Sequence, residues 1–376
     1  MNFQSTTEEK NTKPGRDLLV IGGLFVLVMI LALGFMLGGE VGQFMLAGAQ
    51  TIPFVILAML AYLGSERRWA RAAAILWLFI VILVYVLFNL SLTLIAVEGS
   101  ERSTQTVVLV LLGIALAVLI SLFAFIPAVR RLFSRVIPIR SDSFVHTIAL
   151  VTVLAFTLIG FVPLLVDGAP PLLSQNILEM LELDGGAESD ASMRRFEAYG
   201  LLWTTAGAVF TVGFGIRRSF SEAWKRLGVV RPTLKQVIGG VVLAAALVFL
   251  VQYFGSGIQR LWEVMGWPVT DEEAFSELLG FALTPVGAVL TSLSAGIGEE
   301  LAIRGALQPR MGILLPTLFF TSLHAMQYNW DSLLIVFMLG LVMAVVRARA
   351  NTTTSIIVHT LYDFGVILLA MLFPDM

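Results

Sequence analysis

The chain has 376 residues, of which 58% are hydrophobic and 13% charged, and its mean hydropathy is +0.90. This composition excludes a soluble globular protein and predicts a polytopic membrane protein built from helices. The formal net charge is only −2 without a long basic run, which gives no support for a nucleic-acid partner. There is no cysteine, so disulfides, thiolate metal sites and a cysteine nucleophile are excluded.

Eleven apolar segments are long enough to cross about 30 Å of hydrocarbon as helices. The first sixteen residues are polar, and no small-residue cleavage site follows the next apolar run, so that run is predicted to be a retained first span. The segments lie near Asp17–Leu37, Phe44–Leu63, Ala70–Val97, Thr106–Val129, Phe144–Val166, Gly200–Ile216, Gln236–Gly255, Leu279–Ile297, Gly312–Ala325, Leu333–Val346 and Ser355–Phe373.

Lysine and arginine are concentrated in every second connection between these segments, whereas the other connections are acidic or nearly uncharged. By the positive-inside rule, this alternation predicts eleven spans in the plasma (inner) membrane, with a cytoplasmic N-terminus and an external C-terminus. The basic groups are Lys13/Arg16, Arg67/Arg68/Arg71, Arg130/Arg131/Arg135/Arg140, Arg217/Arg218/Lys225/Arg226, Arg304/Arg310 and Arg347/Arg349.

The longest connection, residues 167–199, contains two adjacent prolines and an acidic tract, and it predicts a boundary. Residues 1–166 are predicted to form an accessory transmembrane module of five spans. Residues 200–376 are predicted to form the working core, because their spans carry Glu, His, Asn and Asp. Within the core, Gly215–Lys235 is predicted to be an interfacial helix on the inner leaflet.

Two adjacent glutamates and an arginine interrupt an apolar run at residues 295–304. On an α-helix, Glu300 and Arg304 share a face and are predicted to pair. Glu299 points about 100° away, without that partner. An ionised side chain at the bilayer centre costs roughly 2.5–3.5 kcal/mol, so a free glutamate there indicates a functional site. Taken alone, the stretch fits equally well an ion-pair cluster at the membrane interface.

Two of the three histidines also lie within apolar runs. Four-residue spacing places Phe320 beside His324, and His359 beside Asp363, on one helix face each. Counted from the inner loops at about 1.5 Å per residue, Glu299, His324 and His359 all lie roughly 15–18 Å deep. A lone membrane histidine is more often a packing residue, but the matched depths favour one shared site.

The three motifs together resemble the CPBP family of intramembrane proteases, which includes the CAAX prenyl endopeptidase Rce1 and the bacterial Abi proteins. The resemblance covers roughly Gly200–Phe373 and implies an all-α membrane protease with an Rce1-like C-terminal core. The expected substrate is a membrane-associated protein or peptide, cleaved near the inner leaflet. The motifs are Glu299-Glu300-x-x-x-Arg304, Phe320-x-x-x-His324 and His359-x-x-x-Asp363, in the family order.

The resemblance also implies a role for each motif residue. Glu299 and His324 would activate a water molecule for attack on the peptide bond. His359 and Asp363 would stabilise the oxyanion, a role worth a few kcal/mol per donor. The family more commonly has asparagine at the position of Asp363, and a carboxyl group donates a hydrogen bond only when protonated. Asp363 could instead orient His359 or bind a metal. The residues predicted to support the site are Glu300, Arg304 and Phe320.

The sequence leaves the metal question open. Zinc could be held by two histidines and two carboxylates, namely His324, His359, Glu299 and Asp363, but no HExxH motif is present. The family has been described both as metalloproteases and as metal-independent glutamate proteases. A metal-independent mechanism is slightly favoured, because the set already contains a base, its partner and a donor.

Other readings of the sequence have weaker support. His146 lies beside serines at the start of a span and is predicted to be interfacial and inert. Ser322 is two residues from His324 on another helix face, which disfavours a serine nucleophile. A non-catalytic membrane scaffold or immunity protein stays open, as does a proton-coupled transporter that uses Glu299 and the histidines as a relay. No internal repeat is evident, which weakens the transporter reading.

Overall fold

In the computed structural model, residues 14–183 and 186–373 are described, and this part of the chain is built from helices without a strand. The prediction of an all-α polytopic bundle is therefore confirmed. Lys13, which the charge pattern uses, and two residues of the long connection, Asp184 and Gly185, lie outside the described residues.

The helices of the first half follow one another with short connections. They are α1 (Pro14–Met36), α2 (Gly39–Ala47), α3 (Ile52–Gly64), α4 (Arg68–Ala96), α5 (Ser103–Leu122), α6 (Pro127–Phe133), α7 (Phe144–Asp167), α8 (Gln175–Leu183) and α9 (Gly186–Thr211).

The second half contains the helices that carry the three motifs. They are α10 (Phe220–Leu227), α11 (Leu234–Val264), α12 (Glu272–Leu278), α13 (Pro285–Leu293), a π-helical segment (Ser294–Leu307), α14 (Gln308–Met311), α15 (Leu314–Leu323), α16 (Trp330–Arg349) and α17 (Thr352–Leu372).

Within the described residues, seven helices are long and apolar enough to cross a membrane: α4, α5, α7, α11, Pro285–Met311, α16 and α17. The number becomes eight if α2 and α3, which meet at a bend of 50°, form one broken span. The predicted spans that do not meet this test are α1, α9 and α15; the apolar parts of α1 and α15 are shorter. The count of eleven and the membrane orientation therefore stay predictions.

The two halves pack against each other through α7 and α9. Of the seven spans, α7 is the most buried, and it packs against both α5 and α15. α9 begins at Gly186 rather than near Gly200, and it packs against α3 and the π-helical segment. The predicted domain boundary at residues 167–199 stays a prediction. The helices on its two sides are in close contact.

The segment that carries Glu299 and Glu300 is π-helical, whereas the sequence analysis used α-helical geometry for it. π-Helices bond residue i to i+5 and often occur at functional sites. Glycine allows this segment to approach its neighbours closely. A Cβ atom on Gly296 would overlap the Thr360 side chain and lie 2.7 Å from its backbone nitrogen. This close approach brings the glutamates next to α17.

Candidate active site

Three elements place the predicted catalytic side chains around one cavity of about 1420 Å³. The π-helical segment provides Glu299, the end of α15 provides His324, and α17 provides His359 and Asp363; all four line the cavity. The matched depths of the three motifs predicted that these residues would converge. The catalytic roles of these residues stay predictions.

Glu300 lies at the centre of a buried polar cluster. Its Oε1 is 3.3 Å from Nη1 of Arg304, in the ion pair that the spacing predicts, although the contact lacks hydrogen-bond geometry. Oε1 also accepts a 2.9 Å hydrogen bond from Nδ1–H of His359. The Ser355 hydroxyl donates to Oε2. Glu300, Arg304 and Ser355 each have 0% exposure, so the carboxylate depends on these partners rather than on water.

Ser355 was not among the predicted site residues, although the sequence contained a signal for it. Ser355, His359 and Asp363 are spaced by four residues, so they lie along one face of α17. A hydroxyl in this row can donate to a buried carboxylate. What the spacing did not reveal was which neighbouring helix this face would meet.

Arg304 is held by α16 and by Phe320. Its Nη2 donates to the carbonyl of Gly340 at 3.2 Å, and its guanidinium carbon lies 4.5 Å from the centre of the Phe320 ring. This is the geometry of a cation–π contact. A Cβ atom on Gly340 would lie 2.9 Å from Thr317 and 3.2 Å from Phe320, so the glycine allows the close packing of α15 on α16.

The hydrogen bond of His324 determines its tautomer. Its Nδ1 is 2.9 Å from the carbonyl oxygen of Phe320. Because a carbonyl only accepts, Nδ1 carries the proton, and in the neutral ring Nε2 has a free lone pair. The imidazole packs against Phe320 and lies nearly parallel to Tyr328, with an interplanar angle of 12°. His324 is therefore orientated as a base or ligand through Nε2.

Nε2 of His359 faces the two carboxylates that border the cavity. It is 3.4 Å from Oδ2 of Asp363 and 3.8 Å from Oε2 of Glu299. The second distance is too long for a hydrogen bond, so this contact does not fix Glu299. The Glu299 side chain is 34% exposed, compared with 0% for Glu300. The carboxylate without an arginine partner is thus the one that reaches the cavity.

The four predicted metal ligands do not form a ligand set in this arrangement. Zinc needs three or more nitrogen or oxygen donors at about 2.0–2.2 Å from one point. In the described part of the chain, no three His, Asp or Glu side chains are arranged to hold an ion. No catalytic step is therefore derived through a metal.

Three other polar residues lie near the site: Ser322, His146 and Glu197. Ser322 is fully buried and donates to the carbonyl of Phe319 at 2.8 Å, so its hydroxyl is committed to the backbone. His146 accepts a 2.8 Å bond from the Arg140 backbone N–H. Glu197 of α9 lines the cavity, although the sequence analysis did not select it because it belongs to no motif.

One known protein family matches part of the chain. Residues 281–365 match the family described as type II CAAX prenyl endopeptidase Rce1-like. The match supports a CPBP family of the Rce1 type. This Rce1-type segment contains all three motifs as well as Ser355, and it is shorter than the expected Gly200–Phe373. No curated protein and no solved structure matches the chain.

Proposed function

We propose that the protein is an intramembrane endopeptidase that hydrolyses a peptide bond of a membrane-associated protein or peptide. The Rce1-type match supports a CAAX-protease-like endopeptidase in general. The observation that carries the mechanism is that Glu299, a carboxylate without an arginine partner, and His324, an imidazole of defined tautomer, line the same cavity. Prenylation of the substrate is left open.

Glu299 acts as the general base in this proposal. Nε2 of His324 accepts one hydrogen bond from the attacking water and positions it, while Glu299 takes the other proton as the water oxygen bonds to the carbonyl carbon. The tetrahedral intermediate then collapses, the C–N bond breaks, and Glu299 returns its proton to the leaving amine. A positioned base of this kind contributes about 10²- to 10⁴-fold in rate.

His359 is the proposed oxyanion donor. Nδ1–H is committed to Glu300, so donation from Nε2 requires a proton on each ring nitrogen. Glu299, Glu300 and Asp363 lie within 3.8 Å of the ring nitrogens and compensate this charge. Asp363 then orients Nε2 instead of donating to the oxyanion itself, and the mechanism uses no metal ion.

The experiment compares a Glu299→Gln strain with the wild type by proteomics of peptide N-termini in membrane fractions. New N-termini present in the wild type and absent in the variant identify substrates. The matched control is Glu272→Gln, because Glu272 also borders the cavity but is exposed on α12. Identical N-termini in all three strains would overturn the protease proposal and favour the non-catalytic scaffold.

A further inference from the structure

One end of the same cavity is surrounded by arginines. They come from the connection between α6 and α7, from the loop between α9 and α10, from α10 and from α14, so separate parts of the chain contribute positive charge to one cavity. These residues are Arg140, Arg217, Arg218, Arg226 and Arg310.

Most of these arginines have no carboxylate partner in the part of the chain that the structure describes. Arg140 pairs with Asp142 at 3.3 Å, and Arg218 lies near Glu222. Among the described residues, Arg226 and Arg310 form no ion pair with a carboxylate. The charges that act on Arg226 include those of Arg310 and Arg218, both positive. An uncompensated cluster of this kind attracts anions.

Arg226 is held rigidly beside the catalytic helix. Its Nη1 donates to the carbonyl of Gly305 at 3.0 Å and its Nη2 to that of Ala306 at 3.3 Å. Burial, followed by the nearby charge of Arg310, lowers the pKa of Arg226 to about 10. The guanidinium therefore stays charged at neutral pH, and these two carbonyls use two of its five N–H groups.

Other basic residues of the loops that the charge pattern assigns to the cytoplasm do not line the cavity. Arg130 donates to the carbonyls of Ala124, Phe125 and Ser141 and does not border the cavity. Lys225, next to Arg226 on α10, is exposed and also lies outside the cavity lining. Membrane orientation alone does not require arginines to line the catalytic cavity.

The distance from Arg310 to the proposed catalytic glutamate, Glu299, gives the length of substrate that would lie between them. Glu299 and Arg310 lie on the same continuous helical span, Pro285–Met311. Eleven residues separate them, each rising by at most about 1.5 Å because the π-helical part rises less per residue than an α-helix, so the separation is on the order of 15 Å. An extended peptide advances about 3.3 Å per residue, so this distance corresponds to about four to five residues of substrate.

We propose that Arg226 and Arg310 bind a carboxylate of the substrate peptide, about four to five residues from the scissile bond, and so select acidic substrates over neutral ones. The guanidinium fork suits an Asp or Glu side chain and a C-terminal carboxylate equally. This inference rests on the proposed function for its reference point, the scissile bond. A peptide is favoured over a lipid because the cluster opens into the cavity that contains Glu299.

The test measures binding separately from cleavage. A library of apolar peptides, each carrying one Asp or one Asn and made with free or amidated C-termini, is mixed with purified full-length Glu299→Gln protein in detergent. Retained peptides are identified by mass spectrometry. We expect about tenfold enrichment of carboxylate-bearing peptides, and Arg226→Gln or Arg310→Gln should remove it. Lys225→Gln should keep it.

The two changes to the peptides distinguish the two sources of the carboxylate. Loss of enrichment on Asp→Asn exchange identifies a side-chain carboxylate, whereas loss on amidation identifies the C-terminus. Arg226 also anchors α10, so Arg310→Gln, whose side chain is exposed, keeps the test independent of folding. Equal retention of all peptides, or arginine-dependent retention of added phosphatidylglycerol in place of peptide, overturns the proposal.

The same library distinguishes this inference from the protease proposal. Wild-type protein should cut the retained peptides about four to five residues from the carboxylate. Cleavage at sites unrelated to the carboxylate would overturn the inference and leave the protease intact. Arginine-dependent retention without any cleavage would overturn the protease and leave the carboxylate site.

Discussion

Removing Arg304 should destabilise the protein far more than neutralising Glu299. Arg304→Ala removes the arginine partner of the Glu300 carboxylate, which has 0% exposure. Removing one partner of a buried ion pair typically costs about 3–5 kcal/mol. Because His359 and Ser355 still bind this carboxylate, we expect about 3 kcal/mol, the lower end of that range.

That loss is large for a native state that is stable by about 5–15 kcal/mol. The variant should therefore show a low yield of monodisperse protein in detergent and a lowered Tm. Glu300→Gln should behave similarly, since it leaves Arg304 as the unpaired charge. Glu299→Gln should keep the wild-type yield, because its side chain is 34% exposed and makes no close hydrogen bond. The same protein should be inactive.

The assay combines size-exclusion yield, thermal unfolding and peptide cleavage per mole of folded protein. Arg349→Ala is the matched control, because it removes an exposed arginine at the end of α16 that does not border the cavity. Equal yields of all variants, with activity differing among them, would refute the division between a supporting and a reacting glutamate.

Three further predictions concern the metal, the helix packing and the topology. Asp363→Asn should keep or raise activity without zinc, since the amide oxygen still accepts from Nε2–H of His359 while the amide nitrogen is a permanent donor. Stoichiometric zinc lost by chelation together with activity, in wild type and variant, would contradict this. Gly340→Ala should lower the Tm by several degrees, since its Cβ would press on Thr317 at 2.9 Å. Gly257→Ala is the control and should not lower the Tm, because the space around Gly257 is open. Equal Tm values for the two variants would contradict the packing argument. A reporter fused after the C-terminus should be active only outside the cytoplasm, and a cytoplasmic signal would show that the eleven-span count is wrong.

The sequence alone determined the parts of this protein that depend on local pattern. Apolar runs of spanning length predicted the all-α membrane bundle, because hydrocarbon requires each span to satisfy its backbone internally. Contacts at four-residue spacing were also predictable: Glu300 with Arg304, and Phe320 with His324, each lie within one helical stretch or its end. The matched depths of three motifs indicated one shared site.

Only the tertiary structure decided which helices meet and what their side chains do there. Ser355 and His359 reach Glu300 across more than fifty positions of sequence, Arg304 reaches Gly340, and the π-helical form of the glutamate segment accompanies its tight packing on α17. Hydropathy is similar on all sides of a membrane helix, so it specifies that a segment crosses but not which neighbour it faces. Which helices contact each other depends on small residues and buried polar groups, and their partners are known only once the helices are packed.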